Sequence, residues 1–377
     1  MFGKKPEAIT RLEDTKKTYD APCAMKHRRH KTGRRTREQG RPSRPGEDET
    51  MTVESVRPKS FDEFIGQAQP KEVLSILARA AKKQGKPIAH TLLFGPPGLG
   101  KTTLCRILAH EMQANLVEMV GSNLEEPKQL QMQLSSLREQ ENAIVFIDEI
   151  HSMNRNVEEV LYAAMEDGVL SYVPETESFN EVMKAIGLGG SAARARTIQL
   201  PPFTLIGATT MPGLVSAPLR SRFIQTLNLE PYSVDELKRI VVNAGRKTGF
   251  PVSEKVAEEV ARRARNTARL AVGHLAWLKE FCLAGGHKAT LEAVRQAFLL
   301  KDIDERGLTK QDRQYIAMLV NSNAPVGLGS LAASLNESVQ TLEQTVEPFL
   351  LREGYIRRGN RGRVAERKAY ELLGRAA

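Results

Sequence analysis

The chain has 377 residues, 41% hydrophobic and 27% charged, and a formal net charge of +10. Its length exceeds one ordinary core, so two or three compact domains are expected. No run approaches the roughly 20 apolar residues of a membrane span and the start lacks a secretory apolar stretch, so a soluble protein of the cytoplasm with no membrane partner is the plain expectation.

The charge is uneven. Residues 1–50 hold 14 Lys/Arg against 8 Asp/Glu, so they supply +6 and leave the remainder mildly basic. Residues 1–54 lack large apolar residues at any sustained period and read as a disordered basic tail. The run from Lys26 to Arg44 suits a nucleic-acid tether, whereas a dispensable tail, or a reading frame extended beyond a start at Met51, is the plainer expectation. Cys23, Cys105 and Cys282 fit neither a metal spacing nor a disulfide set, in keeping with a reducing compartment.

Beyond Arg57 a helix is expected over Lys71–Gln84, then an apolar strand Thr91–Phe94, a Gly/Pro loop and a helix from Lys101 to Glu111. Further strands are expected at Leu116–Met119, Ala143–Ile147 and Phe203–Ala208. Short apolar strands alternating with helices predict an α/β domain, a parallel sheet covered on both faces, over 55–230. Residues 231–304 read as helices alone, with Val234, Leu237, Ile240 and Val241 at helical spacing. Residues 305–377 read as short helices followed by a two-stranded wing over Tyr355–Val364. No internal repeat is evident.

The segment LLFGPPGLGKTT satisfies the P-loop spacing with Gly95, Gly100, Lys101 and Thr102, directly after a predicted strand and at the start of a predicted helix. Glycines let backbone N–H groups close around phosphates, Lys101 reaches the β- and γ-phosphates, and the Thr102 hydroxyl ligates Mg²⁺. In AIVFIDEIH an apolar strand delivers Asp148 and Glu149 at its C-terminal edge, where open α/β sheets bind ligands. Asp148 then holds Mg²⁺ through its water shell, and Glu149 orients and deprotonates the attacking water.

The strand TLIGATT ends in Thr210, a candidate γ-phosphate sensor or simply a strand-end cap. Downstream, SAPLRSRF offers Arg220 and Arg222, neither with an obvious local partner, as guanidiniums that reach a neighbouring subunit's γ-phosphate or as ordinary surface charges. Among Arg262, Arg263, Arg265 and Arg269, spacing does not choose which one points back to the phosphates.

Taken together, RPKSFDEFIGQ, LLFGPPGLGKTTL, FIDEIH, LYAAMEDG, LPPFTLIGATT, GLVSAPLRSRF and RGRVAERKAYELLG resemble the RuvB family of bacterial Holliday-junction branch-migration ATPases, from about residue 55 to 374. The resemblance implies an AAA+ P-loop sheet domain followed by a helical lid and a C-terminal winged-helix domain, working as a homo-hexameric ring on duplex DNA with a RuvA-like junction-binding partner. It places the Walker A nucleotide contacts on Gly95, Pro96, Gly98, Leu99, Gly100, Lys101, Thr102 and Thr103, and the Walker B pair on Asp148 and Glu149. Sensor 1 falls on Thr210, the arginine finger on Arg222, and the sensor 2 arginine on Arg269 in NTARLA. Arg57, Ile65 and Tyr232 match the adenine-pocket neighbourhood, and ATP and Mg²⁺ are the implied cofactors. The wing arginines Arg357, Arg358, Arg361 and Arg363 are the candidates for sequence-independent phosphate contacts.

Two features depart from the family. The segment near 172–196 is longer, with Val182, Ile186 and Leu188 as an apolar docking tip or the insert as a source of a different partner preference, and the lid motif GTPR reads NTAR, with Asn266 for its glycine and Ala268 for its proline. A clamp-loader-like ATP switch is the competing function, expected to end in a helical collar rather than a basic winged helix. A non-hydrolysing scaffold is disfavoured by the complete set of polar residues.

Overall fold

The computed structural model describes residues 54–139, 142–172, 196–322 and 324–374. The basic tail before Glu54, most of the longer segment near 172–196 and its proposed docking tip lie outside the described residues.

A five-stranded, wholly parallel sheet forms the first layer system, in the order β2-β3-β6-β1-β7. Its strands are β1 (Thr91–Phe94), β2 (Asn115–Val120), β3 (Ala143–Asp148), β6 (Phe203–Thr209) and β7 (Gln225–Asn228). β6 is buried at every position, as a central strand covered on both faces must be. Helix α1 (Ala68–Gln84) and helix α2 (Lys101–Met112) pack on one face. Helix α3 (Pro127–Ser135) and helix α4 (Arg155–Glu166) contribute Leu130, Leu134, Val157 and Leu161 to a second core on the other. β4 (Val169–Tyr172) and β5 (Arg196–Gln199) pair antiparallel as a separate two-stranded sheet, with Leu170 buried in the second core.

A short helix α5 (Ala217–Ser221) precedes β7, and four helices follow the sheet: α6 (Val234–Lys247), α7 (Glu254–Arg262), α8 (Ala268–Gly285) and α9 (Leu291–Leu299). Their apolar faces, including Leu237, Val241, Val260, Leu275 and Phe298, join the same core as α1, α2 and the sheet. Lid and sheet are therefore held by one continuous hydrophobic cluster.

The C-terminal part contains α10 (Lys310–Val320), α11 (Leu328–Leu335), a turn of helix α12 (Val339–Thr341), a π-helical turn, α13 (Glu347–Arg352), the wing strands β8 (Ile356–Gly359) and β9 (Gly362–Ala365), and α14 (Arg367–Leu372). It has its own core around Tyr315, Leu331, Phe349 and Tyr355. Gly362 sits at φ +140°, and a Cβ there would meet the Val326 carbonyl oxygen at 2.4 Å, so the wing strand closes on 324–327 only with glycine in place. No helix among the described residues is long and apolar enough to cross a membrane.

Candidate nucleotide-binding site

The P-loop carries the chain from the end of β1 to the start of α2, and its glycines answer close approaches. Gly95 sits at φ +145°, where a Cβ would meet the Leu229 carbonyl oxygen at 2.4 Å. Gly100 sits at φ +103° against the Phe64 ring, 2.8 Å from where its Cβ would fall. No side chain caps α2 at Gly100, so the first amides of the helix remain available to an anion.

Lys101 is 6% exposed, and its Nζ donates only to the Gly95 and Pro96 carbonyls, at 2.7 and 3.1 Å. Burial pushes the amine below its ordinary pKa, while Glu149 and Asp148 oppose the shift. A buried cation held by carbonyl oxygens alone is suited to a polyanion. Beside it, Asp148 accepts from the Glu149 backbone N–H at 3.0 Å, and the Thr102 hydroxyl lies 3.5 Å from its other oxygen. Burial raises the Asp148 pKa, which the Glu149 amide counteracts.

Glu149 occupies the left-handed region at φ 47°, which turns its carboxylate off the end of β3. Its Oε2 accepts from the Thr210 amide at 3.3 Å and the Thr210 hydroxyl at 3.0 Å. His151 lies 3.3 Å from the same oxygen and 2.9 Å from the Thr209 hydroxyl. Thr210 is thus tied directly to the acidic pair. The role of His151 is not legible in the DEIH string, because the approach to Thr209 crosses from one strand end to the next.

These groups open onto a cavity of about 350 Å³. Gly98, Gly100, Lys101, Thr102, Thr103, Asp148, Glu149, Arg57, Ile65, Tyr232 and Arg269 all line it. Gly95, Pro96, Leu99, Thr210 and Arg222 are not among the lining residues. The apolar end also uses Phe64 and, from α6 and α8, Ile240, Ala244 and Val272. The helical spacing of Ile240 is visible in the sequence, but the face it shares with the P-loop is not. Tyr232 is fixed from three sides: its hydroxyl donates to the Leu99 carbonyl at 2.9 Å, its amide donates to the Asn266 carbonyl at 2.9 Å, and the next residue, Ser233, caps α6 in a reciprocal box with Glu236.

The lid reaches the loop through the Arg269 amide, which donates to the Gly98 carbonyl at 3.3 Å. Of the other lid arginines, Arg262 pairs with Glu258, Arg263 with Glu259, and Arg265 with Asp312. Arg269 alone of the four lines the cavity.

Contrary to the sequence expectation, both downstream arginines have local partners. Arg220 donates to the Pro212 and Val215 carbonyls, both at 3.0 Å. Arg222 donates to the Pro218 carbonyl at 2.7 Å, pairs with Glu166 at 3.1 Å and lies over the Tyr162 ring at 4.3 Å. The partners come from α4, whose Tyr162 and Glu166 share a helix face at four-residue spacing, a signal present in LYAAMEDG but given no role from sequence.

The wing arginines divide. Arg363, 16% exposed, and Arg358 both bind Glu347, which is fully buried. Arg357 pairs with Glu366 at 2.6 Å. Arg361 is exposed at the β8–β9 turn and, among the described residues, forms no ion pair or side-chain hydrogen bond. Three of the four expected phosphate contacts are therefore partly neutralised by intramolecular carboxylates, a placement that strand spacing does not reveal.

Comparison with known proteins covers all three parts. The family described as the Holliday junction DNA helicase RuvB P-loop domain matches residues 56–229, the RuvB AAA lid domain 232–304, and the RuvB C-terminal winged helix domain 305–374. The chain belongs to the RuvB family. It is 43% identical over 328 residues to the Holliday junction branch migration complex subunit RuvB of Fusobacterium nucleatum, covering 86% of this chain and 94% of that one. The corresponding subunit of Rubrobacter xylanophilus is 42% identical over 337 residues, 89% and 91% of the two chains. A solved structure of the Thermotoga maritima RuvB Holliday junction branch migration motor superposes with a TM-score of 0.72 at 37% identity, over 86% of this chain and 99% of that one. The parallel sheet, lid and winged helix are thus those of RuvB, an AAA+ P-loop ATPase.

Proposed function

We propose that this chain is an ATP-driven motor that moves four-way DNA junctions in recombination and repair, acting in the cytoplasm as a hexameric ring on duplex DNA with a RuvA-like partner. The observation that carries the reading is the succession of P-loop, lid and basic winged helix in one chain. A clamp-loader-like switch needs the first two but is expected to end in a helical collar.

The nucleotide enters the cavity with its base among Ile65, Phe64, Tyr232 and Ile240, and its phosphates against the amides that open α2. Lys101 exchanges its carbonyl partners for phosphate oxygens. Thr102 and Asp148 supply two hard oxygen donors at neighbouring positions, which suits Mg²⁺, an ion that keeps waters and phosphate oxygens as its remaining ligands. When bound, Mg²⁺ offsets charge on the phosphates. Glu149 orients the attacking water and takes its proton, and Thr210 holds the Glu149 carboxylate in place. Arg269 brings the lid to the phosphates. Arg222 of one subunit reaches the phosphates bound by the next, so turnover requires assembly.

Arg361 contacts DNA phosphate, with Arg357 and Arg358 beside it, and Arg363 serves the wing's own structure. Synthetic four-way junctions test the reading. ATP-dependent branch migration in the presence of a RuvA-like junction-binding protein is expected. Its absence under those conditions, with ATP hydrolysis intact, would favour the switch.

A further inference from the structure

The lid motif departs from its family at Asn266, and the departure has a structural use. Arg265 and Asn266 both lie in the left-handed region, at φ 48° and 61°, where a glycine is free of strain and asparagine is among the better-tolerated alternatives. The side chain of Asn266 spends its two functional groups in opposite directions. Its Nδ2 donates to the Tyr232 carbonyl at 3.0 Å, completing a two-bond clamp with the Tyr232 amide and the Asn266 carbonyl. Its Oδ1 accepts from the Arg352 guanidinium at 3.2 Å, while the same Arg352 nitrogen donates to the Arg265 carbonyl at 2.9 Å.

Each end of this bridge leads somewhere specific. Tyr232 holds the P-loop through Leu99, and three residues beyond Asn266 the Arg269 amide holds Gly98. Arg352 closes α13, the helix that precedes the wing strands, and lies 5.7 Å from the centre of the Phe349 ring on that helix. The hydrophobic core of the winged-helix domain does not merge with that of the lid. Between them lies a cavity of about 300 Å³ that Asn266, Phe349 and Tyr355 line. Around Asn266 the orientation of the two domains therefore rests on polar contacts, of which the Arg265–Asp312 pair is the other principal one, rather than on close packing.

We propose that Asn266 is a coupling residue that transmits the state of the nucleotide pocket to the helix carrying the DNA-binding wing. A nucleotide that seats the P-loop fixes Tyr232 and the start of α8, which fixes Asn266, which in turn holds Arg352 and α13. A glycine at this position keeps the backbone turn and loses both side-chain bonds. The inference rests on the nucleotide site and not on the DNA reading, so the two fail separately.

The test is hydrogen exchange of the backbone amides of residues 347–354 in the full chain, with and without saturating ADP. In the wild type, ADP is expected to slow exchange there about fivefold, the worth of roughly one hydrogen bond. Asn266→Gly is expected to bind ADP within about twofold of wild type and to lose that slowing. Arg352→Met, which keeps the side-chain stem over Phe349, is expected to lose it too. An ADP response that survives Asn266→Gly, or that is missing from the wild type, would overturn the inference. So would a tenfold or greater loss of ADP affinity in Asn266→Gly, since Asn266 would then belong to the pocket itself. Failure of the wild type to bind ADP at all would instead remove the nucleotide-site reading on which the inference stands.

Discussion

The Arg222 guanidinium lies between the Tyr162 ring and the Glu166 carboxylate, with its terminal nitrogen on the Pro218 carbonyl. Arg222 does not line the nucleotide cavity of its own protomer. If its partner is a neighbour's nucleotide, Arg222→Ala leaves ADP affinity within about twofold and lowers the ATPase turnover by about 10³-fold or more. Fluorescent nucleotide titration and steady-state turnover measure the two separately, and near-normal turnover would remove the cross-subunit role. That Lys101, Asp148 and Glu149 line one cavity follows the sequence expectation, because the P-loop and the acidic strand end are each a pattern within one local segment. The seat of Arg222 was not legible in the sequence, because its side-chain partners Tyr162 and Glu166 lie on another helix far earlier in the chain.

At the scale of elements, the wing gives a contrast between two neighbouring arginines. Arg361→Ala should weaken binding to any duplex and reduce the slope of affinity against salt, on logarithmic axes, by about 1. Arg363→Ala should instead destabilise the winged helix by about 2 kcal/mol, because buried Glu347 loses a charge-assisted bond. Duplex titrations at several salt concentrations and urea unfolding separate the two effects. Glu347 itself is pushed up by burial, but its bonds from Arg363, Tyr315 and Arg358 prevail and hold its pKa below the ordinary carboxylate range.

Helix α8 carries a second titrating group. His274 Nε2 donates to the Arg263 carbonyl, 3.1 Å away, and the ring meets Phe298 edge-on. Burial is the largest cause of its fall in pKa to about 4. The folded lid thus keeps the imidazole neutral while the unfolded chain takes a proton below about pH 6.5. The stability this contributes is complete above pH 6.5 and is lost as pH falls towards 4. The midpoint of urea unfolding should fall over that window, and His274→Gln should flatten the fall while lowering stability at pH 8. Strands β1, β2, β3 and β6 followed from short apolar runs, and helix α6 from apolar positions at helical spacing. Strand β7 (Gln225–Asn228) did not, because QTLN buries only Leu227 and owes its strand form to the edge of β1. Helix α1 begins at Ala68, before the expected Lys71, because Pro70 fits the first helical turn, where its missing N–H costs nothing.

For the whole molecule, one hydrophobic cluster binds the lid to the sheet, whereas polar contacts and a separate core mark the winged helix. That division suits a machine in which the nucleotide pocket and lid respond together and the winged helix is steered through few contacts. The succession of three parts was legible because each has its own pattern: alternating strands and helices, helices alone, then short helices and a hairpin. The relation between them was not legible, since Tyr232, Asn266 and Arg352 lie far apart in the chain and meet only in the fold.

The central claim is that one protomer's phosphate cradle is completed by the next protomer's arginine. Mixing two inactive variants tests it directly: Arg222→Ala, with an intact cradle, and Lys101→Ala, with an intact finger. Each alone should be without ATPase activity, and the mixture should regain a substantial fraction of wild-type turnover. A mixture that co-assembles and stays inactive would contradict the account, as would full activity of Arg222→Ala by itself.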